Sequence, residues 1–462
     1  IKPDYPDLYA RYQKAAESVY FLEVTERSTD SEISTSAFRD QTLQARTNLN
    51  SAVADIRQIP GYEAFLTLPT FEDIAATVQS SDPLVYLLAT PYGSLALILT
   101  TEGISDLWLN DLTEPQLIDL LNEDWFSAYR KYNTNRQAWL DVIDEITYQL
   151  WNWMMAPLIS HLQKSNLSKA ILVPTGAFNY LPLHAAWTPD GNNPNARYYA
   201  CDDIQFTYAP NALSVGAART IANQTSATTL LAISEPQPVD ADNLPSSSAE
   251  AAKVISAFGK GSWQLLKQED ATRTAVLEQL PQKNVVHFSC HGFADLSMPL
   301  NSGLLMANNE ILSLRDLLDL KLQNLRLAIL SACETGIPGT ELPDEVISLP
   351  TGLLQAGAAG VVSSLWLVAD LSSMMLISRF YDLWRIKNFE PPEALRQAQK
   401  WVRDTTNGEK TAYFKDFVST QSASKMPAST ADYLYKSLIL SDPNARDFAH
   451  PFHWAAFSYT GA

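Results

Sequence analysis

The chain has 462 residues, more than one hydrophobic core usually organises, so two or three domains are expected. Its hydrophobic content of 46% is that of an ordinary globular protein, and a formal net charge of −18 argues against direct nucleic-acid binding, which draws on Lys and Arg. Three widely spaced cysteines, Cys201, Cys290 and Cys333, form no disulfide framework and point to a reducing, cytoplasmic compartment.

Residues 1–78 read as a helical segment. One amphipathic pattern begins at Leu8, a second covers 42–59 and stops at Pro60-Gly61, and a third opens at Thr70. Ile1 in place of Met leads us to expect a fragment of a longer chain, and no signal peptide opens it. From Leu84 the pattern changes to short strands at 84–89, 94–100 and 106–109. The apolar stretch 84–100 is broken by Pro91-Tyr92-Gly93, so no membrane span is expected. A long helical stretch follows at 125–162, rich in aromatics at its start, and strands return at 170–174 and 205–209. The alternation makes 79–219 an α/β domain. Its histidines, His161 and His184, are expected at the surface or packed.

The polar stretch 220–229 marks the boundary of a second α/β domain, 220–462. Residues 230–234 form its first strand, and the loop 235–248, rich in Pro, Asp and Ser, edges whatever crevice lies at that strand's end. Helices are expected at 249–258, 272–280, 314–320 (with Ser313 as N-cap), 349–358, 371–386 and 393–404. Residues 421–430 read as a mobile loop, and 454–459 as an edge strand. Earlier in this domain stand two apolar runs that stop on chemistry. Val285-Val286-His287-Phe288-Ser289-Cys290 delivers His291-Gly292, and Leu327-Ala328-Ile329-Leu330-Ser331-Ala332 delivers Cys333. Buried parallel strands have this composition, and ligands bind outside their carboxyl ends. A histidine and a thiol so placed can meet as base and nucleophile.

A lone cysteine is more often a small buried filler than a nucleophile. Cys333 differs in lying just past a strand, before Thr335-Gly336. Cys290 has the opposite parity from His287 and His291 and is read as core. His287 and His291 share a side of the sheet, and only His291 stands at the strand end; His287 is left as a core residue or a group that orients a neighbour. Gly292 either serves a tight turn or lends its N–H to a developing oxyanion.

The strings "HFSCHG" and "LSACETG", together with 171–186, 364–370 and 450–462, resemble the CHAT peptidases, caspase-like cysteine proteases often fused to TPR repeats and related to separase. The resemblance covers roughly residues 80–462. It implies an α/β fold: a caspase-like, open, mostly parallel sheet flanked by helices in 220–462, preceded by an inactive caspase-like domain at 79–219. It also implies a cysteine endopeptidase with His291 and Cys333 as catalytic dyad and the N–H groups of Gly292 and Cys333 as oxyanion hole. Asp370, which closes "LWLVAD", is similar to a separase aspartate that lines the pocket for a basic residue, and is equally an N-cap for the helix after it. Asp295, Glu334, Asp344 and Glu345 are further acidic candidates for substrate binding. No third catalytic group is nominated, and no metal or other cofactor is expected. The partners expected are a protein substrate and a regulatory protein or TPR region outside the chain, without nucleic acid or membrane. Two rivals remain: an inactive peptide-binding module, and an adaptor that works through its helical N-terminus.

Overall fold

The apolar runs become strands of one sheet in the computed structural model of the protein, which describes residues 4–28, 35–63, 65–191, 193–339, 346–419 and 426–462. In chain order these strands are β1 (Leu84–Thr90), β2 (Gly93–Thr100), β3 (Gly103–Leu109), β4 (Lys169–Pro174), β5 (Gln205–Tyr208), β6 (Leu230–Pro236), β7 (Trp263–Gln268), β8 (Val285–Ser289), β9 (Leu327–Ser331), β10 (Gly360–Ser364) and β11 (Phe457–Gly461). They lie in the order β3-β2-β1-β4-β5-β11-β10-β9-β8-β6-β7. The β1–β2–β3 meander and the β10–β11 pair are antiparallel, and the remaining pairings are parallel. All five residues of β8 are buried, as expected of a parallel strand covered on both faces.

The terminal strand corrects the sequence reading. Phe457 and Tyr459 alternate with Ser458 and Thr460, a pattern that looks half-solvated and hence peripheral. Every residue of β11 is nevertheless buried, and the strand sits in the middle of the sheet, parallel to β5 and antiparallel to β10. It therefore joins the two α/β halves. Residues Ile74–Ala462 form one compact unit, and one core runs along a single face of the sheet from Val85 and Trp139 to Val285, Ile329 and Phe380. On the opposite face each half keeps its own core.

The other unit, Ile1–Asp73, contains the helices Pro6–Ser28 and Thr35–Arg57. There Arg57 Nε donates to the Phe65 carbonyl at 2.7 Å, and Tyr12 meets Phe65 edge-on with ring centroids 5.3 Å apart.

The helix expected over 125–162 begins earlier, at Glu114, and is interrupted after Arg130. Asn135 restarts it by accepting from the Ala138 N–H at 3.3 Å, so a capping signal lay inside the aromatic stretch. Ser313 caps its helix as expected, its Oγ accepting the Asp316 N–H at 3.2 Å. Of the loop expected at 421–430, residues 421–425 lie outside the described ones, and the helix Ala428–Leu438 takes up the end. The short edge strand β7 had no signal strong enough to be read.

One buried ion pair ties the helix Ser247–Ser256 to the helix Asp370–Arg385. Lys253 is fully buried and donates to Asp382, which also accepts the Tyr413 hydroxyl. Removing one partner of such a pair strands the other charge in the interior. Lys253→Met is therefore expected to cost about 3–5 kcal/mol of stability, measured by denaturant unfolding; a loss under about 1 kcal/mol would mean that water reaches Asp382.

Candidate active site

Four neighbouring strands deliver their loops to one rim. β8 and β9 are parallel and in register, with Ser289 opposite Ser331. His291 and Cys333 each follow two residues later, so the register carries both to the same level of the same rim. β6 lies on the far side of β8, and β10 on the far side of β9.

Gly292 shows how closely the two loops approach. A Cβ built there would lie 2.8 Å from the Cys333 carbonyl oxygen, 3.0 Å from the Thr335 methyl and 3.2 Å from the Ala332 Cβ. The glycine is thus needed for close approach rather than for a turn. Beyond it a small sheet pairs Gly292 with Leu304, and the Leu305 N–H donates to the His291 carbonyl at 2.9 Å. That bond makes Gly292 and Leu304 a non-hydrogen-bonded pair, which leaves the Gly292 N–H turned away from the small sheet.

His291 is half-exposed, and its Nε2 lies 2.7 Å from the backbone carbonyl oxygen of Asp242. A carbonyl can only accept, so Nε2 carries the hydrogen and Nδ1 keeps its lone pair when the ring is neutral. Asp242 sits in the loop that leaves β6, the loop expected to edge the crevice. Sequence reasoning nominated no third group, and it had no means to: a backbone carbonyl has no residue-type signature.

Cys333 is half-buried and heads a turn held from several sides. Thr335 Oγ1 donates to the Ala332 carbonyl at 3.3 Å, Ser364 Oγ donates to the same carbonyl at 2.7 Å, and the Gly336 N–H reaches the Ser364 carbonyl at 2.7 Å. Burial pushes the thiol above its ordinary value; the Val368 N–H pulls it down, and the carboxylates of Glu334 and Asp370 push it up. Cys290, by contrast, is 2% exposed among Ile233, Phe288 and Leu330, and burial raises its thiol much further.

His287 is fully buried on the other face. Its Nε2 lies 2.8 Å from Glu250 Oε1, and its Nδ1 lies 3.3 Å from the Tyr381 hydroxyl. His184 is buried beside Tyr208 with its pKa lowered to about 4 by burial, and His161 lies against Ser105. His450 and His453 pack beside Asp144 and Ser372.

The acidic candidates separate. Asp370 is the first residue of the helix Asp370–Arg385, whose N-cap is Ala369, so it does not cap that helix. Its Oδ2 accepts the Ser246 N–H at 3.2 Å, and burial raises its carboxyl. Glu334 Oε1 accepts the Tyr129 hydroxyl. Asp295 Oδ1 accepts the N–H groups of Met298 and Ser297 at 2.9 and 3.1 Å and folds its own turn. Asp344 and Glu345 lie outside the described residues.

Among the described residues, no helix is long and apolar enough to cross a membrane. No curated protein sequence matches the chain. Its structure is similar to that of separase in the Saccharomyces cerevisiae separase–securin complex, with a TM-score of 0.50 at 11% identity, over 85% of this chain and 35% of that one. It is also similar to RgpB of Porphyromonas gingivalis, an entity solved with pro- and mature domains, with a TM-score of 0.37 at 9% identity, over 75% of this chain and 74% of that one. The chain thus spans well under two thirds of the separase chain. The sequence model of the CHAT domain matches residues 144–462. Because that match takes in more than half of the sequence, the chain belongs to the CHAT domain family, with a caspase-like fold similar to that of separase.

Proposed function

We propose that the protein is a cysteine endopeptidase making limited cuts in a protein partner after a basic residue. The observation that carries this reading is the strand register, which sets His291 and Cys333 at one rim with Gly292 against the Cys333 backbone. The Cys333 sulfur attacks the scissile carbonyl carbon while its proton passes to His291 Nδ1. The N–H groups of Gly292 and Cys333 hold the charge that develops on the carbonyl oxygen. The resulting imidazolium, oriented through the Asp242 carbonyl, protonates the leaving amine. Water then hydrolyses the thioester, with His291 taking the water's proton and the thiol restored.

Asp370 supplies the acidic pocket in this reading. One of its oxygens takes Ser246, and an arginine or lysine of the substrate takes the carboxylate's remaining acceptor capacity through a charge-assisted bond. Asp370→Asn is expected to lower kcat/KM for Arg and Lys peptides by about 10–100-fold, with little change for peptides that are neutral there; a panel of fluorogenic peptides checks it, and a preference for aspartate would sink the basic pocket.

The half-buried position of Cys333 fits a resting state gated by a partner. Separase was solved with securin, and a regulatory protein of that general kind fits this chain too. The same observation favours a second reading, a peptide-binding module that does not cleave. Mass spectrometry of candidate partner proteins, incubated with the wild type or with Cys333→Ala, tests the peptidase directly. New termini that need Cys333 support cleavage; identical digests from both proteins, in every activated complex, leave the binding module.

A further inference from the structure

Tyr129 stands on the short helix Phe126–Arg130, in the first half of the sheet domain and 205 residues before Glu334. Its hydroxyl donates to Glu334 Oε1 at 2.5 Å and accepts the Leu367 N–H at 2.9 Å. One oxygen thereby joins two loops that flank the thiol. Glu334 directly follows Cys333, and Leu367 directly precedes Val368, whose N–H favours the thiolate. The ring itself is clamped: its centroid lies 4.9 Å from that of Trp139, which meets Trp125 and Trp366 edge-on at 4.7 and 6.1 Å. Trp366 belongs to the same loop as Leu367. Glu334 also has a φ of 59°, a left-handed conformation that a non-glycine residue holds only when its surroundings over-determine it. The bond to Tyr129 is one such determinant.

We infer that Tyr129 is a positioning residue for the nucleophile, fixing the turn after Cys333 and the Val368 N–H relative to one another. The half of the sheet that lacks a dyad then sets the reactivity of the thiol that the other half carries. The inference rests on the reading of Cys333 as nucleophile. Without the hydroxyl, the 365–369 loop loses its tie to the turn, and the Val368 N–H no longer holds its place beside the thiol. The thiolate loses a stabilising donor, so the thiol titrates at higher pH and less of it is reactive near neutrality. The titratable groups around it are Glu334 on its own turn, Asp370 on the following helix, Tyr129, Cys290 at the end of β8 and, at the same rim, His291.

The test measures alkylation of Cys333 by iodoacetamide as a function of pH, read by mass spectrometry, with Cys333→Ala as the blank. Tyr129→Phe cuts the tie and leaves the Glu334 carboxylate in place, whereas Glu334→Ala and Glu334→Gln both remove the charge that raises the thiol and only Gln keeps an acceptor for the Tyr129 hydroxyl. Tyr129→Phe relative to the wild type, and Glu334→Ala relative to Glu334→Gln, are each expected to slow labelling about tenfold at neutral pH and to move its midpoint up by about one unit. Adding Tyr129→Phe to Glu334→Ala is expected to change nothing further, because the tie is already gone. At strongly alkaline pH all the rates converge. A Tyr129→Phe protein with the wild-type profile, a uniform slowing with no shift of midpoint, or fully additive effects would each overturn the inference. Should Tyr129→Phe fail to fold, the comparison of Glu334→Ala with Glu334→Gln carries the same test. Labelling needs no substrate, so a wild type that labels normally and cleaves nothing counts against the peptidase reading while the positioning result still stands or falls separately.

Discussion

Replacing Cys333 with Ala is expected to abolish peptide cleavage, with loss of at least about 10³-fold in kcat. The folded stability should be almost unchanged. The side chain is half-buried and small, and the turn that carries it is held by backbone and hydroxyl bonds from Thr335, Ser364 and Gly336 rather than by the sulfur. His291→Ala is expected to cost about 10²–10⁴-fold in kcat, the range of a general base. The burial-raised thiol places the real loss toward the upper end, because little thiolate exists without a base to take the proton. The two replacements combined should be no worse than Cys333→Ala alone, since the groups act as a unit. Single-turnover kinetics on a peptide substrate, beside thermal melts, check all three. Retained turnover in Cys333→Ala would remove the proposed mechanism, and a collapse of the melting transition would mean that the turn depends on the sulfur after all.

Gly292→Ala is the second large effect expected. The added Cβ would stand 2.8 Å from the Cys333 carbonyl oxygen, closer than real Cβ atoms come, and the oxygen belongs to backbone rather than to a side chain that can swing away. Either the His291 loop or the Cys333 turn must move. The turn is bonded to Ser364, and the His291 carbonyl is bonded to Leu305, so neither yields freely. Both proposed oxyanion donors sit at this contact, and the displacement is expected to lower kcat by about 10²–10³-fold. The strain is expected to cost about 1–3 kcal/mol of stability as well. The measurement is kcat alongside urea unfolding. A variant whose kcat stays within about threefold of the wild type would show that the two loops can part without harm, and that the glycine answers only to packing.

Where the candidate site's residues stand on the sheet was largely readable from composition and parity. Apolar runs ending on His291 and on Cys333 gave strands, strand ends and a common rim, because parallel strands buried on both faces have few other compositions open to them. Parity separated Cys290 from His287 correctly, as the period of two along a strand requires. Ser313 was legible as a cap from its place before an apolar period. The edge assignment for 454–459 failed because hydroxyl side chains alternate there with aromatics, and residue type does not say whether a serine faces water or a hydrogen-bond partner inside. The interruption near Asn135 is not legible from the aromatic run, because a capping asparagine is set apart only by the fold that ends one helix and starts the next.

By itself the sequence determined every strand of the large sheet but β7, the order of chemistry along it, and the residue types at the ends of β8 and β9. Tertiary structure alone decided the rest: β11 joins two α/β halves into one sheet, the Asp242 carbonyl reaches His291, and Tyr129 arrives at Glu334. The physical reason is the same in each case. Burial and periodicity are written in neighbouring residues, whereas backbone carbonyls, N–H groups and long-range ties act through positions that only the folded chain brings within hydrogen-bonding distance.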